Sequence, residues 1–155
     1  MGRLEHDLRA RLGVPTWSRW QRINQAMIDR FADLTDDHQF IHVDVARASA
    51  SPLGGTIAHG FLTLSLLSQL RASARADSPS DTDFSINYGI DTLRFRSPVR
   101  AGVAIRAKFT AVDAFQTAPG QFRVTTSVEV EIEGEAKPAL SCRWITLLLE
   151  SSGTD

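Results

Sequence analysis

The sequence lacks features that several protein classes require. Cys142 is the only cysteine among 155 residues, so an internal disulfide and a zinc site built from several cysteines are excluded. The longest apolar run is too short to span a bilayer, and the first residues alternate charges with leucines, unlike a signal peptide. We therefore expect a cytoplasmic protein with no membrane partner, in which Cys142 is a buried structural thiol.

The chain also has no surplus of one charge and no common nucleotide or hydrolase motif. Lys and Arg number 17 against 18 Asp and Glu, a net charge of −1 that gives no electrostatic reason to expect a nucleic-acid partner. G-x-S-x-G, the Walker loop, G-x-G-x-x-G and H-E-x-x-H are absent. Small molecules or other protein chains are the expected partners. The length and the 43% of hydrophobic residues predict one globular domain over 1–155, with about 1–15 as an N-terminal extension.

Helical periodicity occupies the first half of the chain. In "NQAMIDRFADL" one helical face carries Met27, Ile28, Phe31 and Leu34. This pattern predicts a short helix with Asn24 as N-cap and an end near Thr35, followed by a loop to Val43. A second short helix is expected to begin at Asp44 as cap and to run through "VARASA", until "SPLGG" interrupts it.

A third helix is predicted over roughly 57–75, with Thr56 as its cap. Its apolar residues are Ile57, Ala58, Phe61, Leu62, Leu64, Leu66, Leu67 and Leu70. They cover a surface too wide for a helix that lies on the outside of a domain. We therefore expect this helix to be the buried helix of the fold, followed by a polar loop, "RADSPSDTD".

Alternating patterns replace the helical ones in the second half. A strand is predicted in "DFSINYGIDTLRFRS", two more in "VAIRAKFTA" and "FRVTTSVEVEI" on either side of an "APG" turn, and a last one over about 139–149. The two middle strands alternate strictly, so each has one polar face. A sheet with one apolar face and one helix that is apolar nearly all round predict an α+β fold, an antiparallel sheet wrapped around a long central helix.

Acidic and imidazole side chains crowd into "DDHQFIHVD" at 36–44. Asp37 and His42 are five residues apart in a segment predicted as loop, so both can turn toward one cavity. A carboxylate beside an imidazole can hold and activate a water or move a proton at neutral pH, although such pairs also occur as solvated or capping groups. His38 and His42 have the spacing of two metal ligands on a helix, but the segment is not helical in pattern, so we expect no metal.

The second candidate element is "GGTIAHG". With Thr56 as cap, Gly60 lies in the first turn of the helix, where backbone N–H groups have no helical acceptor. Glycine is a poor helix former, and two reasons for it remain open: close packing of helix on sheet, or space for a ligand carbonyl to reach an N–H group. His59 is either a third catalytic group or a hydrogen-bonded core histidine.

Three separated segments in this order, "FADLTDDHQFIHVD", "GGTIAHGFLTLSLL" and "INYGIDTLRFRSPVRAG", resemble the MaoC-like dehydratases. These are the (R)-specific enoyl-CoA hydratases of the hot-dog fold, and the resemblance is strongest to their nodulation-protein-N-like branch. It runs from about Trp20 to the last strand. It implies a homodimer that adds water reversibly to a trans-2-enoyl thioester, with no cofactor because CoA enters as part of the substrate.

The resemblance also assigns roles to residues. It implies that Asp37 and His42 hold the water, that the N–H of Gly60 binds the thioester oxygen, and that Asp36 is a neighbour of the site. Residues expected to contact the substrate are Gln39, His59, Ser68, Asn87 and Tyr88. One departure concerns Gln39-Phe40, where many hydratases of the family have Asn-Pro, so the pocket beside the dyad is expected to differ in shape.

Two alternatives to the hydratase are kept. A hot-dog acyl-CoA thioesterase usually needs a carboxylate on the central helix, and 57–75 has none. A non-catalytic subunit that binds acyl thioesters would keep the fold and lack activity. Either CoA or acyl-carrier protein could carry the acyl group. Arg94, Arg96 and Arg100 either meet the CoA phosphates or are solvated.

Overall fold

The computed structural model describes residues 3–74 and 82–150, which form helices packed on one antiparallel sheet. The helices are α1 (Arg3–Ala10), α2 (Gln25–Thr35), α3 (Phe40–Val43), α4 (Val45–Ser49), α5 (Gly60–Ser65) and α6 (Leu67–Ser73). The strands are β1 (Pro15–Trp17), β2 (Gln21–Arg22), β3 (Thr82–Phe95), β4 (Ala104–Ala118), β5 (Gln121–Ile132) and β6 (Leu140–Glu150). None of the helices in the two described ranges is long and apolar enough to cross a membrane.

The sheet runs in the order β1-β4-β5-β6-β3, with the short β2 also paired to β4. The predicted alternation is confirmed in β5, where every second residue is buried: Phe122, Val124, Thr126, Val128, Val130 and Ile132. In β4, Ile105, Ala107 and Phe109 are buried in the same way. Because side chains on a strand alternate between faces, the sheet presents one apolar face to the helices.

The central helical segment, which consists of α5 and α6, lies on this apolar face of the sheet. Leu62 of α5 and Leu67 and Leu70 of α6 are buried in the same core as Phe109 of β4 and Leu140 of β6. Cys142 belongs to that core at 4% exposure, and burial raises the pKa of its thiol to about 11, so the prediction of a structural thiol is confirmed. The α+β arrangement of a sheet around a central helix is therefore present.

Two details of the predicted central helix were wrong. The helix begins at Gly60, not near residue 57, and a turn at Leu66 divides it into α5 and α6. Thr56 is not its cap, because the chain is still extended there: Ile57 pairs with Arg100, and the N–H of Ala58 donates to the Val99 carbonyl at 2.7 Å. The Thr56 hydroxyl donates instead to the side chain of Gln25, and His59 takes the N-cap position.

The earlier helices follow their capping residues. Asn24 accepts a hydrogen bond from the Met27 N–H, and Asp44 accepts one from the Arg47 N–H, as predicted for both caps. The stretch 36–43 is not all loop, since residues 40–43 form the single turn α3, which is too short to show a helical period. Leu34 was expected on the apolar face of α2, but it is 82% exposed near the end of that helix.

Two strands of the sheet differ in how they are covered. The N-terminal α1 places Leu4 and Leu8 against Phe122 and Val124 of the middle strand β5, so this part of the expected extension is packed on the domain. The edge strand β3 pairs only with β6 within the described residues and leaves apolar side chains exposed.

Candidate active site

Asp37 follows a reversal of the chain at the end of α2. Asp36 adopts a left-handed backbone with φ 56°, which aspartate tolerates better than most residues. The N–H groups of Asp36 and Asp37 then both donate to the Ala32 carbonyl, which ends the helix. The reversal brings the main-chain carbonyl of Asp37 to 2.9 Å from Nε2 of His59.

His42 lies on α3 and is only 7% exposed. Its Nδ1 is 2.7 Å from the Ile57 carbonyl, and since a carbonyl can only accept, Nδ1 carries the hydrogen. The neutral ring therefore has its lone pair on Nε2. The main-chain carbonyl of His42 accepts from Nε2 of Gln25 at 2.7 Å, which ties α3 to the start of α2.

Burial is the main influence on the charge of His42. It lowers the pKa of the imidazole below its ordinary value of 6.5, and the neighbouring His59 lowers it further. The hydrogen bond to the Ile57 carbonyl and the charge of Asp37 act in the opposite direction. The neutral, proton-accepting form of His42 is thus the favoured form near neutral pH.

His59 stacks against the imidazole ring of His42. The two rings stack with their centroids 3.7 Å apart and their planes inclined by 22°, and His59 is 3% exposed. One carboxylate oxygen of Asp37 and one ring nitrogen each of His42 and His59 all lie within 4.8 Å of one another. The predicted dyad is therefore brought together, with the second histidine as an additional member.

This cluster is poorly arranged for a metal ion. A histidine ligand binds through a lone pair in the plane of its ring, at about 2.0–2.1 Å from a zinc ion. The planes of His42 and His59 are nearly parallel and stacked, so the two lone pairs do not converge on one ion at that distance. The other pair considered for a metal, His38 and His42, is also unsuited to one. His38 is exposed and its Nε2 is 2.9 Å from a carboxylate oxygen of Asp33, whereas His42 is buried.

Gly60 and His42 line one cavity of about 400 Å³. The other lining residues are Ile57, Ala58, Phe61, Thr63, Phe95, Arg96, Ser97, Pro98, Val99 and Ala139. Gly60 is the first residue of α5, so its N–H has no acceptor within the helix. His42 and the glycine predicted from a separate motif thus line the same cavity, whereas Asp37 is not among its lining residues.

The predicted substrate contacts fall into different places. Ser68, Asn87 and Tyr88 line a second cavity of about 370 Å³ between the central helical segment and β3, where Trp144 donates to the Asn87 side chain at 3.0 Å. Gln39 is exposed at the N-cap position of α3. His59 is buried and is not among the residues that line either of these cavities.

Several residues of the first cavity were missed from the sequence. Phe61 and Thr63 lie on α5, while the end of β3 and the following turn supply Phe95 and residues 96–99. The quoted segment "RFRSPVRAG" was the available signal, because Pro98 ends a strand pattern beside two arginines. Of the arginine cluster, Arg96 lines the cavity and Arg100 lies against Gly54.

A family model described as MaoC like domain matches residues 10–133. The chain therefore belongs to the MaoC-like domain family, and the antiparallel sheet around the central helical segment is the hot-dog fold of its dehydratases.

Individual relatives narrow the position within that family. The chain is 45% identical to Nodulation protein N of Rhizobium leguminosarum bv. viciae, over 92% of this chain and 89% of that protein. It is 44% identical to 3-hydroxyacyl-thioester dehydratase Z of Mycobacterium tuberculosis, over 79% of this chain and 80% of that protein. Among solved structures, an (R)-hydratase from A. caviae involved in PHA biosynthesis superposes with a TM-score of 0.71 at 24% identity, covering 87% of this chain and 94% of that chain.

Proposed function

We propose that this protein catalyses the reversible addition of water to a trans-2-enoyl thioester, which gives a (3R)-hydroxyacyl thioester. The observation that carries the proposal is one cavity lined by both His42 and Gly60, with the Asp37 carboxylate close to the imidazole. The relative named as a 3-hydroxyacyl-thioester dehydratase supports the same class of reaction.

The spacing of the dyad suits one water molecule. Two hydrogen bonds of about 2.8 Å that meet at a tetrahedral oxygen join atoms about 4.6 Å apart. One carboxylate oxygen of Asp37 and one ring nitrogen of His42 lie within 4.8 Å of each other, so a single water can bridge the two side chains. Because Nδ1 of His42 is bonded to the Ile57 carbonyl, Nε2 is the nitrogen that can accept a proton from such a water.

The proposed reaction forms two bonds to the substrate. The water oxygen bonds to C3 while the dyad accepts one of its protons, and the C2=C3 π electrons move toward the thioester carbonyl to give an enolate. The N–H of Gly60 donates to that oxygen and stabilises its negative charge. The dyad then delivers a proton to C2, so that one water is consumed and the dyad is restored.

The chemistry of this proposal needs no cofactor, since the thioester itself provides the electron-withdrawing group. CoA or acyl-carrier protein would carry the acyl chain. We also propose a homodimer formed along β3, because this edge strand exposes Ile86 at 45%, Tyr88 at 59% and Ile90 at 38%. Sedimentation of the protein and of an Ile86→Lys variant tests this: the wild type should be a dimer and the variant a monomer, and a monomeric wild type would exclude it.

One assay tests the reaction. Purified protein is mixed with crotonyl-CoA, and the enoyl absorbance and the free thiol are followed together. Loss of absorbance without thiol release supports hydration, whereas thiol release would identify a thioesterase. Neither change, across several chain lengths and with acyl-carrier-protein substrates, would indicate a non-catalytic subunit. The helical segment 60–73 carries no Asp or Glu, so we expect no thiol release.

A further inference from the structure

We infer that His59 is a positioning residue that holds Asp37 and His42 in one arrangement without touching the substrate. The inference rests on the proposed hydration, whose two dyad residues it explains. His59 was expected from the sequence to contact the substrate, but it is 3% exposed and lies behind the dyad.

The first contact fixes Asp37. This residue lies between α2 and α3, outside regular structure, and its side chain is 54% exposed. His59 Nε2 is 2.9 Å from the Asp37 main-chain carbonyl and 3.9 Å from its Oδ2. Because the carbonyl can only accept, Nε2 carries the hydrogen, and the bond anchors the peptide group that sets the direction of the carboxylate.

The second contact fixes His42. The His59 ring stacks on the His42 ring with the centroids 3.7 Å apart and the planes inclined by 22°, while Nδ1 of His42 donates to the Ile57 carbonyl. A flat buried ring against one face limits rotation about the last side-chain torsion, which is otherwise broad for histidine. Together the two contacts keep Nε2 of His42 as the nitrogen free to meet the water.

The third observation concerns the other nitrogen of the His59 ring. Nδ1 of His59 is buried and has no hydrogen-bond partner among the residues of 3–74 and 82–150. Phe31 packs against the same ring, with the ring centroids 5.0 Å apart. His59 therefore contacts the dyad through Nε2 and one ring face, and it does not line the cavity that His42 and Gly60 share.

Three variants test separately the hydrogen bond of His59 to Asp37 and its stacking on His42. His59→Gln keeps an amide donor for the Asp37 carbonyl but removes the ring, His59→Phe keeps a ring but removes the donor, and His59→Leu removes both. Since misplacement of a catalytic group by about 1 Å can cost about 10²-fold, we expect kcat to fall about 10- to 100-fold in the Leu variant. The Gln and Phe variants should each retain more activity than Leu, with KM within about twofold of wild type.

The control for simple destabilisation is Leu70→Ala. Leu70 is 1% exposed in the core, and neither cavity includes it. This variant should lower Tm at least as much as the His59 variants and leave kcat unchanged. A rise in KM at constant kcat in the His59 variants would make His59 a substrate contact. Three His59 variants with kcat within twofold of wild type would also overturn the inference.

A readout without substrate separates this inference from the proposed reaction. In ¹⁵N spectra of the four histidines, the wild type should show His42 protonated on Nδ1 and His59 on Nε2. The carbonyl ¹³C shift of Asp37 should change in the Phe and Leu variants and much less in Gln. An inactive wild type with these shifts would refute hydration while the positioning contacts stand. An active wild type whose variants keep the His42 and Asp37 signals and full kcat would refute the positioning alone.

Discussion

The ring of Phe95 occupies the space into which a side chain at Gly60 would project: a Cβ at residue 60 would lie 2.9 Å from two carbons of that ring. Real side chains essentially never come that close, so glycine is needed here for packing against the end of β3. The packing reason considered for this glycine is therefore present, and a simple Gly60→Ala variant cannot separate it from the proposed oxyanion role.

The oxyanion role of Gly60 can be tested once Phe95 is reduced to alanine. Proline is accepted at the first position of a helix, and His59 before it has φ −58° and ψ 137°, which proline allows in the preceding residue. In the Phe95→Ala background, Gly60→Pro removes the N–H while Gly60→Ala keeps it. We expect kcat to be about 10²–10³-fold lower for the Pro double variant than for the Ala double variant.

Equal kcat in these two double variants would remove the Gly60 N–H from the mechanism. Circular dichroism and thermal unfolding of both proteins serve as the control, because neither substitution takes away a hydrogen bond within α5.

The dyad can be tested against its own neighbours in the sequence. Asp37→Asn and His42→Ala should each lower kcat about 10²–10⁴-fold, because each removes one acid–base group from the proposed water site. The matched controls are Asp36→Asn and His38→Ala, which change the same residue types in the same segment. Asn also tolerates the left-handed backbone at position 36. Full activity in the Asp37 or His42 variant, or an equal loss in its control, would contradict the assignment.

The pH dependence should follow His42. Burial places the pKa of His42 below 6.5, so the acid limb of kcat/KM should have its midpoint below pH 6.5. His38 gives an internal reference, because its hydrogen bond to Asp33 raises its pKa above 6.5. NMR titration should therefore show His42 protonating at lower pH than His38, and the reverse order would refute the buried, neutral His42.

The lowered pKa of His42 also makes the free energy of unfolding depend on pH. The folded protein binds its proton on His42 less readily than the unfolded chain does, so this contribution to the free energy of unfolding is complete above about pH 6.5 and decreases as the pH falls toward the folded pKa. Urea unfolding of the wild type and of His42→Gln between pH 7 and pH 5 measures this contribution. As the pH falls, the free energy of unfolding of the wild type should decrease relative to that of the variant.

Cys142 should be chemically silent in the folded protein. Burial raises its thiol pKa to about 11, and the residue is 4% exposed in the core. A thiol reagent should therefore react with the native protein far more slowly than with the protein in denaturant, and enoyl-CoA should protect it no further. Rapid labelling of the native protein would contradict the packing of β6 described above.

The sequence predicted the elements whose signal is local. Strict alternation identified β4 and β5, and the caps Asn24 and Asp44 identified the starts of α2 and α4. It failed at Thr56, because a hydroxyl before an apolar run resembles a helix cap, while a pairing between Ile57 and Arg100 keeps the chain extended. No local pattern reports a contact between residues so far apart.

The candidate site also has residues that local motifs predicted and contacts that only the tertiary structure reveals. The motifs named Asp37, His42 and Gly60, and the fold places His42 and Gly60 on one cavity, with a carboxylate oxygen of Asp37 within 4.8 Å of a ring nitrogen of His42. The stacking of His59 on His42 could not be predicted, because it depends on how α3 packs against the start of α5. The walls of the cavity come from the end of β3, whose approach to α5 is likewise a tertiary contact.

The left-handed backbone at Asp36 limits the range of conformations that Asp37 can adopt. A side chain at residue 36 narrows the conformations available to the reversal, whereas glycine would accept the same φ of 56° together with many others. Asp36→Gly should therefore keep the average geometry of the reversal but broaden it, which would lower the NMR order parameters of residues 36–38. A residue that takes no part in the chemistry would then affect the rate through conformational entropy, by how often the carboxylate is in place when water and substrate arrive.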